Sequence, residues 1–383
     1  MKLGYIFIST FLISAAVYWL IPKQRIRNVF LAIASMVFIY FLDRSAFAMV
    51  IFLTLYTYGF SFLISNSQRK SIYHKLSVSG IVVILVLFKY AGFLDKYASG
   101  IVNYFSFSGS HPFESLLMPL GLSYITFKYI SYLTDLYWGL NKRADFFDLL
   151  FYGSLFTIFL SGPIERYERL EKQIGVERIE YSSAYLFESF ERISYGLFKK
   201  FVIADWLGYF IGFVWRNPDE YSFLYHTLAL FGFSLQLYFD FSGYSDIAIG
   251  ASRMFGFKIM ENFNFPYLRE NISTFWRNWH ISLSDWIRDY LFFPLSKFST
   301  NKIWLLVFVP LIAMGICGMW HGSEIKFLYW GLYHGAGISV YQFWNQFKKK
   351  RKGLKKFTDT NLINYIAVVI TFVFVTIGWL FFR

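Results

Sequence analysis

Two tryptophan–histidine pairs carry most of the chemistry available to this chain. Trp320 and His321 stand in GMWHG (318–322), closing an apolar run that begins near Ile303, and Trp279 and His280 stand in TFWRNWHISLSDWIRDY (274–290). An imidazole with its ordinary pKa of about 6.5 takes a proton from a hydroxyl near neutral pH, and burial keeps the ring neutral, as a general base requires. A lone histidine at a helix end also serves simply in packing, so the local string leaves both roles open for His321. His334, between glycines in GLYHG (331–335), reads as a packing or supporting group, and His74, His111 and His226 as incidental.

Two carboxylates, Asp240 and Asp246, stand inside the apolar stretch LYFDFSGYSDIAIG (237–250). Carboxylates in such surroundings are expensive and face a partner or a cavity. One reading pairs them with Arg253 or a neighbouring arginine to hold a broken helix; the other brings them to substrate. Gly162 and Pro163 in LSGPIERY (160–167) interrupt another apolar stretch and are followed by Glu165 and Arg166, which fits a structural bend beside a cavity.

The elements that position these groups follow from composition. Of 383 residues, 56% are hydrophobic, 23% aromatic and only 16% charged, which excludes an ordinary soluble domain and defines a polytopic all-α membrane protein. Windows of about 20 apolar residues, enough for one crossing, occur at 3–20, 28–42 with its flanks, 46–65, 77–95, 303–321, 325–346 and 362–382. Further spans are expected in 115–138, 146–162, 195–216 and 222–250, giving about ten to eleven in all. The first window is followed by IPKQRIR rather than a small-residue cleavage site, so it reads as a retained span. No internal repeat or linker divides the chain, so residues 1–383 read as one membrane domain: N-terminal spans (1–114), a motif-bearing core (115–346), and a basic loop with the last span (347–383).

Basic loops orient the spans. KKKRKGLKK (348–356) has seven basic positions in nine and belongs in the cytoplasm, as do PKQRIR, SQRKSIYHK and residues 251–302, while DRSA and the Ser/Gly/Phe-rich stretch 97–114 fit outside. The net charge of +13 follows from this bias and does not call for nucleic acid. His280 is then entered from the cytoplasm, and His321 ends an outward span in which Pro310, Gly315 and Gly318 permit kinking and close packing.

Trp276, Trp279, His280, Leu283, Trp286, Ile287 and Tyr290 recur at spacings of three and four, predicting one aromatic helical face over 274–290, with Arg277, Asp285, Arg288 and Asp289 elsewhere. Ser273 or Thr274 caps this helix and Pro294 stops it. It is too short and too charged to span, so it lies either re-entrant beside a cavity or flat on the headgroups. Phosphate loops, nucleophile elbows and metal-ligand clusters are absent; Cys317 is a lone cysteine and no metal is expected.

Six stretches together resemble the membrane-bound O-acyltransferase family, and within it the bacterial polysaccharide O-acetyltransferases of the alginate or peptidoglycan type. They are PLGLSYITFKYISYLTD (119–135), LSGPIERY (160–167), FDFSGYSDIAIGASRMFGF (239–257), NFNFPYLRENISTFWRNWHISLSDWIRDYLFFPL (262–295), GMWHG and GLYHG, in the family's order and covering most of 115–346. The D-alanyl-transferring branch differs around 239–250, with an alanine and no second aspartate. Relatives of the alginate type continue by one or more spans beyond GWLFFR (378–383), where this chain stops.

The resemblance implies that His321 is the essential histidine and His280 the second polar position, within a ring of tilted and re-entrant helices pierced by a tunnel. No cofactor is bound; the donor is acetyl-coenzyme A or an acyl carrier protein thioester, arriving at the basic face around Arg277, Arg288 and the 348–356 loop. Trp276, Trp279, Trp320, Asp240, Asp246 and Asp289 are expected along the route, with Gly162, Pro163, Arg166 and His334 in supporting positions. The acceptor is an extracytoplasmic polysaccharide, reached directly or through a secreted SGNH-esterase-like partner, and the setting is the lipid of a bacterial inner membrane. The rival readings are D-alanyl transfer, a transporter with Asp240 and Asp246 at a midplane site, and an inactive scaffold.

Overall fold

Hydropathy sets the long elements. In a computed structural model, which describes residues 2–383 except 92, 94–117, 178, 352, 354–357 and 359, the described residues are predominantly helical, with one isolated bridge between Phe263 and Trp279. The expected outer stretch 97–114 and part of the basic loop 348–356 lie outside the described residues. Five described helical stretches are long and apolar enough to cross a membrane: Gln24–Leu42, Arg44–Asn66, Lys70–Lys89, Trp304–His321 and Asn361–Phe382. Four of them lie within about four residues of an expected window, whereas Lys70–Lys89 begins seven and ends six residues before the window 77–95. The stretch expected to span at 146–162 is helical only over Phe146–Ser154, and irregular turns lead from there to Gly162 and Pro163.

The chain packs as two compact units, Met1–Glu191 with Ala248–Ile259, and Arg192–Ile247 with Met260–Arg383. The first contains α1 (Lys2–Tyr18), α2 (Gln24–Leu42), α3 (Arg44–Asn66), α4 (Lys70–Lys89), α5 (Leu122–Trp138), α6 (Phe146–Ser154) and α7 (Tyr167–Ile174). Its buried cation Arg27 is held by the carbonyls of Ile21 and Ile179, each at 2.7 Å, with the rings of Tyr18 and Trp19 at 5.1 and 5.0 Å from the guanidinium carbon. A charge so placed is tolerable because its donors are met and its face lies on aromatic π-density.

Gly162, Pro163 and Arg166 belong to this first unit. A Cβ on Gly162 would stand 2.6 Å from the Ile158 Cα, so the bend is a close backbone approach, as the structural reading of LSGPIERY requires. Arg253 also lies here, where it pairs with Glu188 rather than with Asp240 or Asp246.

The second unit holds most of α10 (Phe223–Arg253), then α11 (Ile272–Trp276), α12 (Ile281–Ile287), α13 (Phe293–Ser296), α14 (Val309–His321), α15 (Ile325–Lys349) and α16 (Asn361–Phe382); α8 (Ser183–Leu197) begins in the first unit, and a π-helical turn, Phe198–Ala204, joins it to α9 (Asp205–Arg216). Another π-helical turn, Trp304–Phe308, leads into α14, and Pro310 stands at its start. Proline has no N–H to give to the preceding turn, so widening the helix there removes the conflict and re-aims α14. α14 and α15 meet almost backbone to backbone: a Cβ on Gly318 would lie 2.1 Å from the Phe327 carbonyl oxygen, and one on Gly331 2.2 Å from that of Met314. The expectation that Gly318 permits close packing is met.

Between α2 and α3, Asp43 caps α3 by accepting from Ser45 N at 2.8 Å and Ala46 N at 3.2 Å, and its other oxygen accepts from Leu120 N at 3.0 Å. Partial burial pushes this carboxyl up, but the hydrogen bonds from Ser45, Leu120 and Ala46 outweigh it and hold the pKa below the usual aspartate value. A folded pKa below the unfolded one means that stability from this group is full above about pH 4 and is lost as pH falls through the lower folded value. Asp43→Ala is expected to destabilise by about 1 kcal/mol, measured as a Tm decrease of the detergent-solubilised chain at pH 7 that shrinks on acidification.

Candidate active site

The expected single helix over 274–290 is broken at His280. α11 is capped by Asn271, whose side chain accepts from Thr274 N at 2.9 Å, rather than by Ser273 or Thr274. The chain then turns through Arg277–Trp279, and His280 takes a left-handed conformation (φ 44°, ψ 55°) immediately before α12. The helix runs on through a π-helical turn, Arg288–Phe292, into α13, so Pro294 sits inside a helical turn rather than stopping it. The aromatic face is nonetheless buried: Trp276, Trp279, Leu283, Trp286 and Ile287 all have little exposure.

A left-handed residue with a side chain is strained by about 1–2 kcal/mol and persists only where surroundings enforce it. Here Asn262 does so. Fully buried, its carbonyl accepts Ile281 N at 2.9 Å; its Oδ1 accepts Ser282 Oγ at 2.6 Å and Ser282 N at 3.3 Å; its Nδ2 donates to Ser245 Oγ of α10 at 3.1 Å. The Phe263–Trp279 bridge and the bond from Asn264 N to Asn278 O at 3.1 Å continue this clasp. Sequence reasoning gave Asn262 no role, although it opens the motif NFNFPYLREN.

The clasp presents the buried His280 ring edge-on to Phe241, with centroids 4.6 Å apart, and 6.5 Å from Trp320. His321, half-buried at the end of α14, packs against Trp320 at 4.8 Å, Trp330 at 5.0 Å and Phe382 at 5.1 Å. Beyond Trp330, the fully buried His334 lies 5.0 Å from that ring and 5.1 Å from Trp276. Trp279 packs on Phe275, Tyr267 and Trp379. One aromatic cluster therefore gathers all three histidines singled out, together with Trp276, Trp279 and Trp320. Within it His280 Nε2, Trp276 Nε1, Trp330 Nε1 and both ring nitrogens of His334 have no hydrogen-bond partner among the described residues. Buried polar atoms are normally paired.

A cavity of about 320 Å³ opens beside the cluster, lined by Trp276, Arg277, Asp285, Arg288, Met314 and Cys317 among others. Cys317 stands one turn before His321 on the same helix and lines this cavity. Arg277 is exposed, and Arg288 pairs with Asp285 and with Asp289 at 2.9 Å.

Asp246 and Asp240 are not in the cluster. Asp246 accepts from Arg192 Nε at 2.7 Å and Lys199 Nζ at 2.6 Å, and Asp240 pairs with Lys200. Pairing was expected, but the partners come from α8 and the π-helical turn after it, not from Arg253. Among the described residues no group of three histidine, cysteine or acidic side chains is placed to hold a metal.

The described residues are thus predominantly helical, with a histidine cluster beside a cavity lined in part by Trp276, Phe292 and Phe293. The model of the membrane-bound O-acyltransferase family matches residues 37–382, and the chain belongs to that family. It is an O-acyltransferase and a multi-pass membrane protein. It is 33% identical to the probable alginate O-acetylase AlgI of Pseudomonas aeruginosa, over 99% of this chain and 70% of the relative. Identity is 30% to the peptidoglycan O-acetyltransferase of Helicobacter pylori, over 93% of this chain and 71% of the relative, and 35% to the teichoic acid D-alanyltransferase of Bacillus subtilis, over 71% and 70%.

Because Asn262 holds the turn, Asn262→Ala is expected to destabilise by about 2–3 kcal/mol, whereas Ser282→Ala, which removes one of its hydrogen bonds, is expected to lose about 1 kcal/mol. Chemical or thermal unfolding of the two variants in detergent checks the order.

Proposed function

We propose that this protein transfers an acetyl group from a cytoplasmic thioester to a hydroxyl on the far side of a bacterial inner membrane, for O-acetylation of an extracytoplasmic polysaccharide. The observation that carries the reading is the half-buried His321 in one aromatic cluster with His280 and His334, one helical turn from the cavity-lining Cys317 and with Arg277 and Arg288 lining the same cavity. The names of the alginate and peptidoglycan relatives support acetyl as the group and a glycan as the final acceptor.

In this reading the donor, acetyl-coenzyme A or an acyl carrier protein, meets Arg277 and Arg288, whose charge suits phosphate. Its pantetheine arm follows a tunnel past Trp276 toward Cys317. His321 takes the proton from the acceptor hydroxyl as that oxygen attacks the thioester carbonyl. The carbon–sulfur bond then breaks, the new ester forms, and the imidazolium returns its proton to the leaving thiolate. His280 and the indoles of Trp276 and Trp320 supply polar contacts to the developing oxyanion and the arm. The acceptor is the glycan itself or a secreted SGNH-esterase-like protein that passes the acetyl group on.

His321→Ala is expected to lower transfer at least about 10²-fold with the folded protein retained. Mass analysis of envelope glycans from a deletion strain carrying either form is the test; normal acetylation in the variant removes the base, and D-alanyl esters in place of acetyl esters select the other branch. Arg277→Glu is expected to raise KM for acetyl-coenzyme A about tenfold with little change in kcat, in radiolabelled donor assays on reconstituted protein at low salt.

A further inference from the structure

A second cavity, of about 590 Å³, lies in the same unit and contains none of the three clustered histidines. Its size is within the range that holds a small organic ligand. One wall is α10, through Tyr238, Phe239, Ser242 and Asp246; another is α8 and the turn after it, through Arg192 and Lys199; the loop 261–268 closes it.

The floor is polar and balanced. Asp246, nearly buried, accepts from both Arg192 and Lys199, and Arg192 also holds Glu261. Two cations face two carboxylates. Among the described residues Arg192 Nη1 and two of the Lys199 protons make no hydrogen bond, and Ser242, only 2% exposed, has a hydroxyl with no partner. The rim is the opposite in character: Tyr195, Leu235, Phe265 and Leu268 line the cavity and are exposed, and Phe265 is held in a left-handed conformation at φ 44° with 66% of its surface open. Apolar side chains left exposed around a polar floor suit an occupant whose chains leave into lipid.

We propose that this crevice binds the headgroup of a zwitterionic phospholipid, with the phosphate at Arg192 and Lys199, the ammonium at the Glu261 and Asp246 carboxylates, and a glycerol ester oxygen at Ser242. The balance of charge selects this class. An anionic headgroup would meet two carboxylates with no compensating ammonium, and a purely cationic one would meet two fixed cations. Arg192 and Lys199 are already oriented by Asp246, so their remaining donors bind without a further loss of side-chain freedom.

The test is native mass spectrometry of the full chain, delipidated in detergent and then given equal amounts of phosphatidylethanolamine, phosphatidylglycerol and acetyl-coenzyme A. Phosphatidylethanolamine is expected to be retained at least about tenfold over phosphatidylglycerol. Ser242→Phe, which fills the floor, is expected to abolish retention, and Leu268→Asp, on the exposed rim, to weaken it without disturbing the fold. His321→Ala is expected to retain lipid like the wild type, which keeps this result separate from the acyl-transfer reading. Preferential retention of phosphatidylglycerol, displacement of the lipid by acetyl-coenzyme A, or retention unchanged in the folded variants overturns the proposal.

Discussion

Backbone contact between α14 and α15 is the constraint on which the candidate site depends. With no side chain at Gly318 or Gly331, the two helices close until carbonyl oxygens occupy the space that Cβ atoms would need. Between helices surrounded by lipid, such contact is the main source of association, because burying apolar surface from lipid gains little. The approach brings the end of α14 against the middle of α15 and hence the His321 ring against Trp330, which in turn touches His334. Larger residues at either glycine would part the helices by more than the cluster's ring contacts tolerate.

The second support is of a different kind. His280 is placed by hydrogen bonds that Asn262 makes to a segment 19–20 residues later, and these bonds hold a backbone conformation that histidine does not favour. A buried amide with its carbonyl and amino groups both used, at a site that excludes water, is worth more than the same bonds at a surface, and losing one partner leaves the others unsatisfied. Helix packing sets His321 and a polar clasp sets His280, so the two rings are positioned by independent means and meet at Trp320.

This difference explains what was legible in the sequence. Apolar length fixes the five long spans, and the spacing of Trp276, Trp279 and Leu283 correctly marks a buried face, because both depend on nearest residues along the chain. The break at His280 was not legible: helical periodicity continues through it, and the cause is a side chain 18 residues earlier. The partners of Asp240 and Asp246 were hidden for the same reason. Arg253 is the nearest cation in sequence, yet the pairing cations precede the aspartates by 40 to 54 residues, on helices whose adjacency no local pattern encodes.

Unpaired polar atoms supply the last step of the argument. Arg27 and Asn262 are buried polar groups whose partners lie within the chain. Around the histidines, five nitrogens on Trp276, His280, Trp330 and His334 have no hydrogen-bond partner among the described residues, as is also true of buried atoms of Thr57, Asn141 and Ser189 elsewhere. Each such group costs about 1–3 kcal/mol when buried without a partner. In the proposed acyl-transfer reading a polar ligand meets these groups. Fixed donors that gain a partner only when a polar carbonyl arrives are what an acyl-transfer site requires, because dipoles oriented in advance need no reorganisation as charge develops on oxygen.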